Sequence, residues 1–344
     1  MSVVGFGLVI PTQQTWCSTS AVEQIAREAE TLEFDSLWLP DHLVAPLGDL
    51  EGVGFRDSNY DWMRSEESAP RRLTPAQYYG STGWFLEAYS TLAFLAGITK
   101  RIRIGSSVIV LPYRNPIIQA RMAQTIDVLS RGRLVLGFGA GHIPAESVAL
   151  GVPYEARGAR TEEYLLAMKA IWSDERAEFH GEWIDFDELL TLGRPAQRPH
   201  PPIYYGGMGR RAIRRAVEHC EGWLVTPTSL GPEELARGIE YAREQERACR
   251  RESAFDIVLM NVARLGLPDA RAREAWSEEE LGAYHSLPPN QEPEALVEGL
   301  APQLALGLGG LIVSFPAPDV ETYLEQARCF ARDVIPRLEL GRSR

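Results

Sequence analysis

A (β/α)8 barrel is the fold this sequence predicts, and three observations point to it. The first is a pair of β-branched runs, residues 101–111 and 133–141, neither of which alternates polar with apolar side chains. Strands buried on both faces read this way, as they do in a parallel sheet. The second is the segment between them. Behind Pro116, Ile117, Ala120, Ala123, Ile126 and Leu129 recur at helical spacing up to a Ser130-Arg131-Gly132 stop, and proline suits a first helical position. The third is recurrence: the same strand–helix rhythm continues until eight strands are counted, which favours a closed barrel over an open doubly wound sheet. One domain spanning 1–344 is expected, with insertions at about 43–83 and 268–293 over the C-terminal face of the barrel.

Taken in order, residues 3–10 form a first strand ending at Pro11. Ser18, Thr19 and Ser20 cap a helix with Val22, Ile25, Ala26, Ala29 and Leu32 on one stripe. Residues 36–39 form a short second strand that runs into Pro40, Asp41 and His42. The next forty residues hold Tyr60, Trp62, Tyr78 and Tyr79 among Gly, Asp, Ser and Pro, with no sustained period. So long a connection is expected to be a lid or binding loop. A helix over 84–97 precedes the third strand. After the fourth, residues 160–172 read as helix and 178–186 as a small hairpin. The fifth strand is 203–205, followed by a helix from Gly209 to His219. The sixth is 222–225, with a long polar helix over 232–252. The seventh is 255–265, and a Pro- and Glu-rich excursion leads to a helix ending near Leu306. The eighth is 309–315, and a helix over 320–338 closes the chain.

At 344 residues the chain can bury roughly 75% of its unfolded surface. A net charge of −12 argues against nucleic acid or an anionic membrane as partner, so an anionic ligand must be met locally. Cys17, Cys220, Cys249 and Cys329 form no Cys-x-x-Cys pair, and neither a metal site nor a disulfide framework is expected. No basic stretch precedes Val3, and the longest charge-free apolar stretch, 300–318, is broken by prolines and glycines. A signal peptide and a membrane span are therefore not expected, and the expected location is the cytoplasm.

Active sites of such barrels lie at the C-terminal ends of the strands. Here those ends bring together Asp41 and His42, residues 110–115, Ala140, Gly141 and His142, residues 205–209, Thr226, Arg264 and Ser314. Two histidines and an aspartate can form an acid/base set, or the imidazoles can simply order loop carbonyls. Gly137, Gly139 and Gly141 do not make a dinucleotide fingerprint, because His142 stands where the third glycine should fall and Pro144 disturbs the helix start. They suit the close approach of a ligand ring. Gly206, Gly207 and Gly209 ahead of a helix offer N–H groups to an anion. Arg210 and Arg211 in its first turn oppose the helix dipole by about 0.3–1 kcal/mol each, a sign an anionic ligand would reverse; otherwise they continue a solvated basic face to Arg214 and Arg215. The two lysines, Lys100 and Lys169, lie at a strand start and within a helix, which excludes Schiff-base chemistry at the mouth.

In order and spacing, several stretches resemble the bacterial-luciferase-like superfamily, and within it the deazaflavin (coenzyme F420)-dependent oxidoreductases. They are Asp35-Ser-Leu-Trp-Leu-Pro-Asp-His42, Thr99-Lys-Arg-Ile-Arg-Ile-Gly-Ser-Ser-Val108, Tyr113-Arg-Asn-Pro116, Leu129-Ser-Arg-Gly-Arg133 with Gly137-Phe-Gly-Ala-Gly141, Pro199-His-Pro-Pro-Ile203 and Glu221-Gly-Trp223. The resemblance implies that Asp41 and His42 contact the deazaflavin ring and that Ser107–Val108 is a non-proline cis peptide backing it. It also implies that Val110, Ala140 and Gly141 line the ring, while Met208, Gly209, Arg211 and Ala212 hold the phosphate tail. Where the sugar-phosphate dehydrogenase branch has its catalytic glutamate, this chain has His142. Ala145 replaces an asparagine and Ser229 a phosphate-binding lysine, so glucose 6-phosphate is not the expected substrate. The expected activity is hydride transfer between F420 and a small organic substrate, with His142 serving the substrate's proton and His42 the ring's polar edge. An FMN-dependent monooxygenase using oxygen is the alternative, and a non-catalytic flavin-binding protein a third. A homodimer is the expected assembly.

Overall fold

The structure, a computed structural model, describes residues 4–45, 85–225, 232–265 and 292–339. The insertions expected at 43–83 and 268–293, apart from their edges, lie outside the described residues, as do Thr226 and Ser229.

Eight parallel strands close into a barrel. In chain order the elements are β1 (Gly5–Val9), α1 (Thr19–Thr31), β2 (Ser36–Leu39), α2 (Ala88–Ile98), β3 (Arg103–Ser106), β4 (Ile109–Val110), α3 (Pro116–Leu129) and β5 (Leu134–Gly139). There follow α4 (Pro144–Ala149), α5 (Arg157–Ser173), β6 (Arg176–His180), β7 (Asp185–Leu190), β8 (Ile203–Gly206), α6 (Arg210–His219), β9 (Gly222–Val225) and α7 (Pro232–Ala248). The last are β10 (Asp256–Val262), α8 (Pro293–Ala305), β11 (Gly310–Ser314), α9 (Val320–Cys329) and α10 (Ile335–Glu339). Pairing runs β1–β2–β3–β5–β8–β9–β10–β11 and back to β1, with Gly5 in register with Gly310. The β6–β7 hairpin is antiparallel and stands apart from the barrel.

The single strand expected over 101–111 is two. The Ser107–Val108 peptide is cis and separates β3, which pairs with β2 and β5, from β4, which pairs with β5. Just before it, the Ser106 hydroxyl donates to Gly137 O at 2.8 Å and accepts from Gly137 N at 3.0 Å, tying β3 to β5. The helix expected from 84 starts at Ala88, where Glu87 accepts from Ser90 N at 2.8 Å. Pro144, expected to disturb a helix start, instead occupies the first position of α4, where its missing N–H costs nothing. The closing helix is interrupted by a π-helical turn at Phe330–Val334.

Two apolar layers hold the barrel. Inside it lie Val4, Val9, Trp38, Val135, Tyr204, Leu224, Val258 and Ile312. Trp38 and Tyr204 meet edge to face, with centroids 6.5 Å apart, and each polar tip is satisfied: Trp38 Nε1 donates to Ser36 Oγ and Tyr204 OH to Asp256 Oδ2, both at 2.8 Å. Such a pair adds about 0.5–1.5 kcal/mol beyond its buried area. The second layer lies between strands and helices and takes in Leu8, Ile25, Leu37, Leu92, Ile104, Leu136, Met168, Ile213 and Leu324. The interior is thus packed by side chains. Among the described residues no helix is long and apolar enough to cross a membrane.

Candidate active site

The mouth is built from the chain segments that leave β2, β4, β5 and β8. Asp41, just past β2, is buried. Its carboxylate receives both Arg114 amino groups at 2.8 Å and Val110 N at 3.1 Å. Arg114 also reaches Glu87 at 2.8 Å and lies over the Tyr89 ring. Asp41 therefore anchors the segment after β4 to β2, and both its oxygens are engaged within the protein.

His42 stands next to it and meets Glu146. The Glu146 side chain is fully buried, and its Oε2 lies 2.9 Å from His42 Nδ1 and accepts from Tyr113 OH at 3.3 Å. Its Oε1 accepts from Leu43 N at 2.8 Å and Val44 N at 3.4 Å. Burial pushes this carboxyl upward. The hydrogen bond and charge of His42, with the Leu43 and Val44 N–H groups, outweigh that and hold it below its ordinary value. Burial, followed by the Glu146 charge, pushes the Tyr113 hydroxyl upward, so it stays protonated. The His142 ring stands 6.1 Å from that of His42, nearly perpendicular, and Phe85 packs on the other side at 5.5 Å.

The segment carrying His142 is held from α5. Tyr154 OH donates to His142 O at 3.2 Å and Arg157 Nε to Gly141 O at 3.1 Å, with the Arg157 guanidinium stacked 3.8 Å over the Tyr154 ring. Gly141 has φ +80°, and a Cβ there would meet Val110 Cγ1 at 2.7 Å and Tyr113 OH at 3.0 Å. Val108, on the far side of the cis peptide, fits a cradle of glycines: a Cβ on Gly139 or Gly206 would come within 2.6 or 2.9 Å of its methyls. Ser107 Oγ beside it is buried with no hydrogen-bond partner among the described residues, as are Thr12 Oγ1 and Gln13 Oε1 just past β1. Unsatisfied buried polar atoms of this kind are uncommon, and a bound ligand or an ordered water can supply the partner.

At the end of β8, Trp223 Nε1 donates to Gly207 O at 2.8 Å. Gly209 is the N-cap of α6, and among the described residues no side-chain cap bonds the N–H groups of that helix. Met208 is buried and belongs to the shell core, so it can serve an anion only through its backbone. Arg211 is exposed and makes no hydrogen bond or ion pair among the described residues. Arg210 lies over the Tyr241 ring, while Arg215 is committed to Glu162 at 2.6 Å.

Asp41, His42, Ser107, Val108, Val110, Ala140, Gly141 and His142 thus come from neighbouring staves of the barrel, and Gly209, Arg211 and Ala212 from the β8–α6 junction. Glu146, Tyr154 and Arg157 are additions that the sequence did not place at the mouth, and Tyr113 and Arg114 were placed there without a role. Arg114 was signalled by its place in Tyr113-Arg-Asn-Pro116 beside a strand end; Glu146, in the first turn of α4, looks in sequence like an ordinary helix-start acid.

A closed parallel barrel with a polar, protonatable mouth and a glycine-lined junction before a helix is an enzyme-type scaffold shared by many chemistries. The profile of the luciferase-like monooxygenase family matches residues 4–303, and the chain belongs to that family. An uncharacterized protein of Mycobacterium tuberculosis is 28% identical over 306 residues, covering 87% of this chain and 98% of that one. An FMNH(2)-dependent dimethylsulfone monooxygenase of Pseudomonas putida is 30% identical over 135 residues, 38% of this chain and 37% of that one. An F420-dependent secondary alcohol dehydrogenase, solved with an F420-acetone adduct, shares the fold at TM-score 0.75 and 19% identity, covering 98% of this chain and 99% of that one.

Proposed function

We propose that this enzyme transfers a hydride between coenzyme F420 and a small organic substrate at the barrel mouth. The fit of a flat tricyclic cofactor rests on the Val108 platform with its glycine cradle and on the unpartnered Ser107 hydroxyl. Ser107, Val108, Val110, Ala140 and Gly141 would hold the ring, and Met208, Gly209, Arg211 and Ala212 the phosphate and the tail beyond it. When bound, the deazaflavin supplies the hydride acceptor or donor.

The observation that carries F420 over FMN is the exposed Arg211, with Arg210 beside it, at an uncapped helix start in a chain of net charge −12. FMN ends in one phosphate, whereas F420 continues past its phosphate into a chain of carboxylates. Cations that continue outward from the phosphate position favour the longer polyanion. The rest of the chemistry falls to the histidines. Hydride transfer to or from a carbon–oxygen centre is accompanied by a proton, and an imidazole gives or takes one near neutral pH. His142 is assigned to the substrate and His42 to the polar edge of the ring.

The test is turnover. Protein mixed with F420 and a panel of secondary alcohols, or with reduced F420 and ketones, should change the deazaflavin absorbance without consuming oxygen. Oxygen uptake with reduced FMN and none of these absorbance changes would favour the monooxygenase reading. On any substrate that turns over, His142→Ala should lower kcat by at least about tenfold, since a positioned acid or base contributes roughly 10²–10⁴, while the cofactor dissociation constant stays nearly constant.

A further inference from the structure

We infer that Glu146 is a positioning residue for His42, and that its division of labour between two oxygens fixes which imidazole nitrogen carries the proton. Oε1 is occupied by the Leu43 and Val44 N–H groups, while Oε2 faces His42 Nδ1 and the Tyr113 hydroxyl. An ionised carboxylate can only accept. Tyr113 OH and His42 Nδ1 must therefore both donate, and neutral His42 is the Nδ1–H tautomer. Its Nε2 is then the nitrogen that gains or loses the proton, and in the neutral ring that nitrogen is an acceptor.

The groups around His42 are consistent with this assignment. Glu146 reaches it from α4, His142 approaches edge-on from the segment after β5, and Phe85 packs from the segment before α2. Asp41, the residue before His42, is committed to Arg114 and Val110 N. The Glu146 carboxylate is enclosed, with no exposed side-chain surface, and acts on the mouth through His42, Tyr113 and the backbone it ties down. Orienting partners of this kind commonly set the tautomer of a working histidine.

This inference deepens the proposed function and rests on it only where cofactor affinity is concerned. The test is Glu146→Gln. Glutamine keeps an oxygen for the Leu43 and Val44 N–H groups, so the segment stays tied, but it turns an amide N–H₂ toward His42 and Tyr113. That amide donates, so His42 Nδ1 must accept and the proton must move to Nε2. Long-range ¹H–¹⁵N correlation spectra of histidine-labelled protein, at a pH of about 9 where imidazoles are neutral, read the tautomer directly. The His42 signal is assigned by its loss in His42→Ala. The wild type should show Nδ1–H and Glu146→Gln should show Nε2–H. A wild-type Nε2–H tautomer would overturn the inference even if the variant failed to fold, and so would an unchanged tautomer in a folded variant.

F420 titration supplies the second arm. Glu146→Gln should raise the F420 dissociation constant by at least about fivefold, and by less than about twofold when added to His42→Ala, because contacting residues couple. Equal effects in both backgrounds would mean that Glu146 acts through the backbone alone. If the tautomers behave as stated but no variant, the wild type included, binds F420, the cofactor reading fails and the assignment of Glu146 to His42 stands.

Discussion

At the residue scale the mouth depends on two buried carboxylates, Asp41 and Glu146. Asp41 holds Arg114 and Val110 N with a fully buried side chain. Removing one partner of a buried pair costs up to about 3–5 kcal/mol, and here Glu87 remains as a second partner of Arg114. Asp41→Ala should therefore destabilise the fold by up to that order in urea unfolding; a loss below about 1 kcal/mol would mean that Arg114 re-solvates freely. Glu146 titrates in the folded protein below its ordinary value of 4.5. Its contribution is complete above that value and is lost as pH falls through the folded pKa. The stability gap between wild type and Glu146→Gln should thus be widest near neutrality and close on the acid side. A gap that widens as pH falls would contradict the assignment. His42 was legible in the sequence because it ends a strand in an Asp–His pair. Glu146 was not, because its partner is 104 residues away and an acid in a first helical turn ordinarily serves the helix itself.

At the scale of elements, Arg133 does for two helices what no terminal residue does. Its guanidinium donates to Ala96 O in the last turn of α2, to Thr99 O and Ile102 O after it, to Ser130 O after α3 and to the Thr99 hydroxyl, over 2.7–3.1 Å. Carbonyls left over at helix C-termini need such donors. With each net hydrogen bond worth roughly 0.5–1.5 kcal/mol, Arg133→Ala should cost at least about 2 kcal/mol, and Arg133→Lys most of that, since an ammonium cannot span both helix ends. A neutral Arg133→Lys would show that one carbonyl carries the effect. The Leu129-Ser-Arg-Gly-Arg133 stretch is legible as a helix stop. Its role in joining two helices is hidden in the sequence, because the second helix lies more than thirty residues back in the chain. Likewise the eight strands were legible from two β-branched runs and the strand–helix rhythm that continues beyond them, whereas the division of the third into β3 and β4 was not read; the resemblance implied the cis peptide alone, and nothing in the local composition distinguishes Ser107–Val108 from a continuous strand.

At the scale of the molecule, an acidic chain presents positive charge at the junction that leaves β8. If Arg211 makes a charge-assisted hydrogen bond to an anionic tail, Arg211→Ala should weaken cofactor binding by about 1–3 kcal/mol, and added salt should narrow the difference by screening. An unchanged dissociation constant would make the arginines a solvated face. The barrel interior is packed around Trp38 and Tyr204 among the described residues, which leaves no room there for a tricyclic ring. Whether the mouth is built for the deazaflavin is decided by fluorescence or calorimetric titration of the cofactor-free protein with F420 and with FMN under identical conditions. The dissociation constant should be lower for F420; an equal or lower value for FMN would refute the deazaflavin assignment.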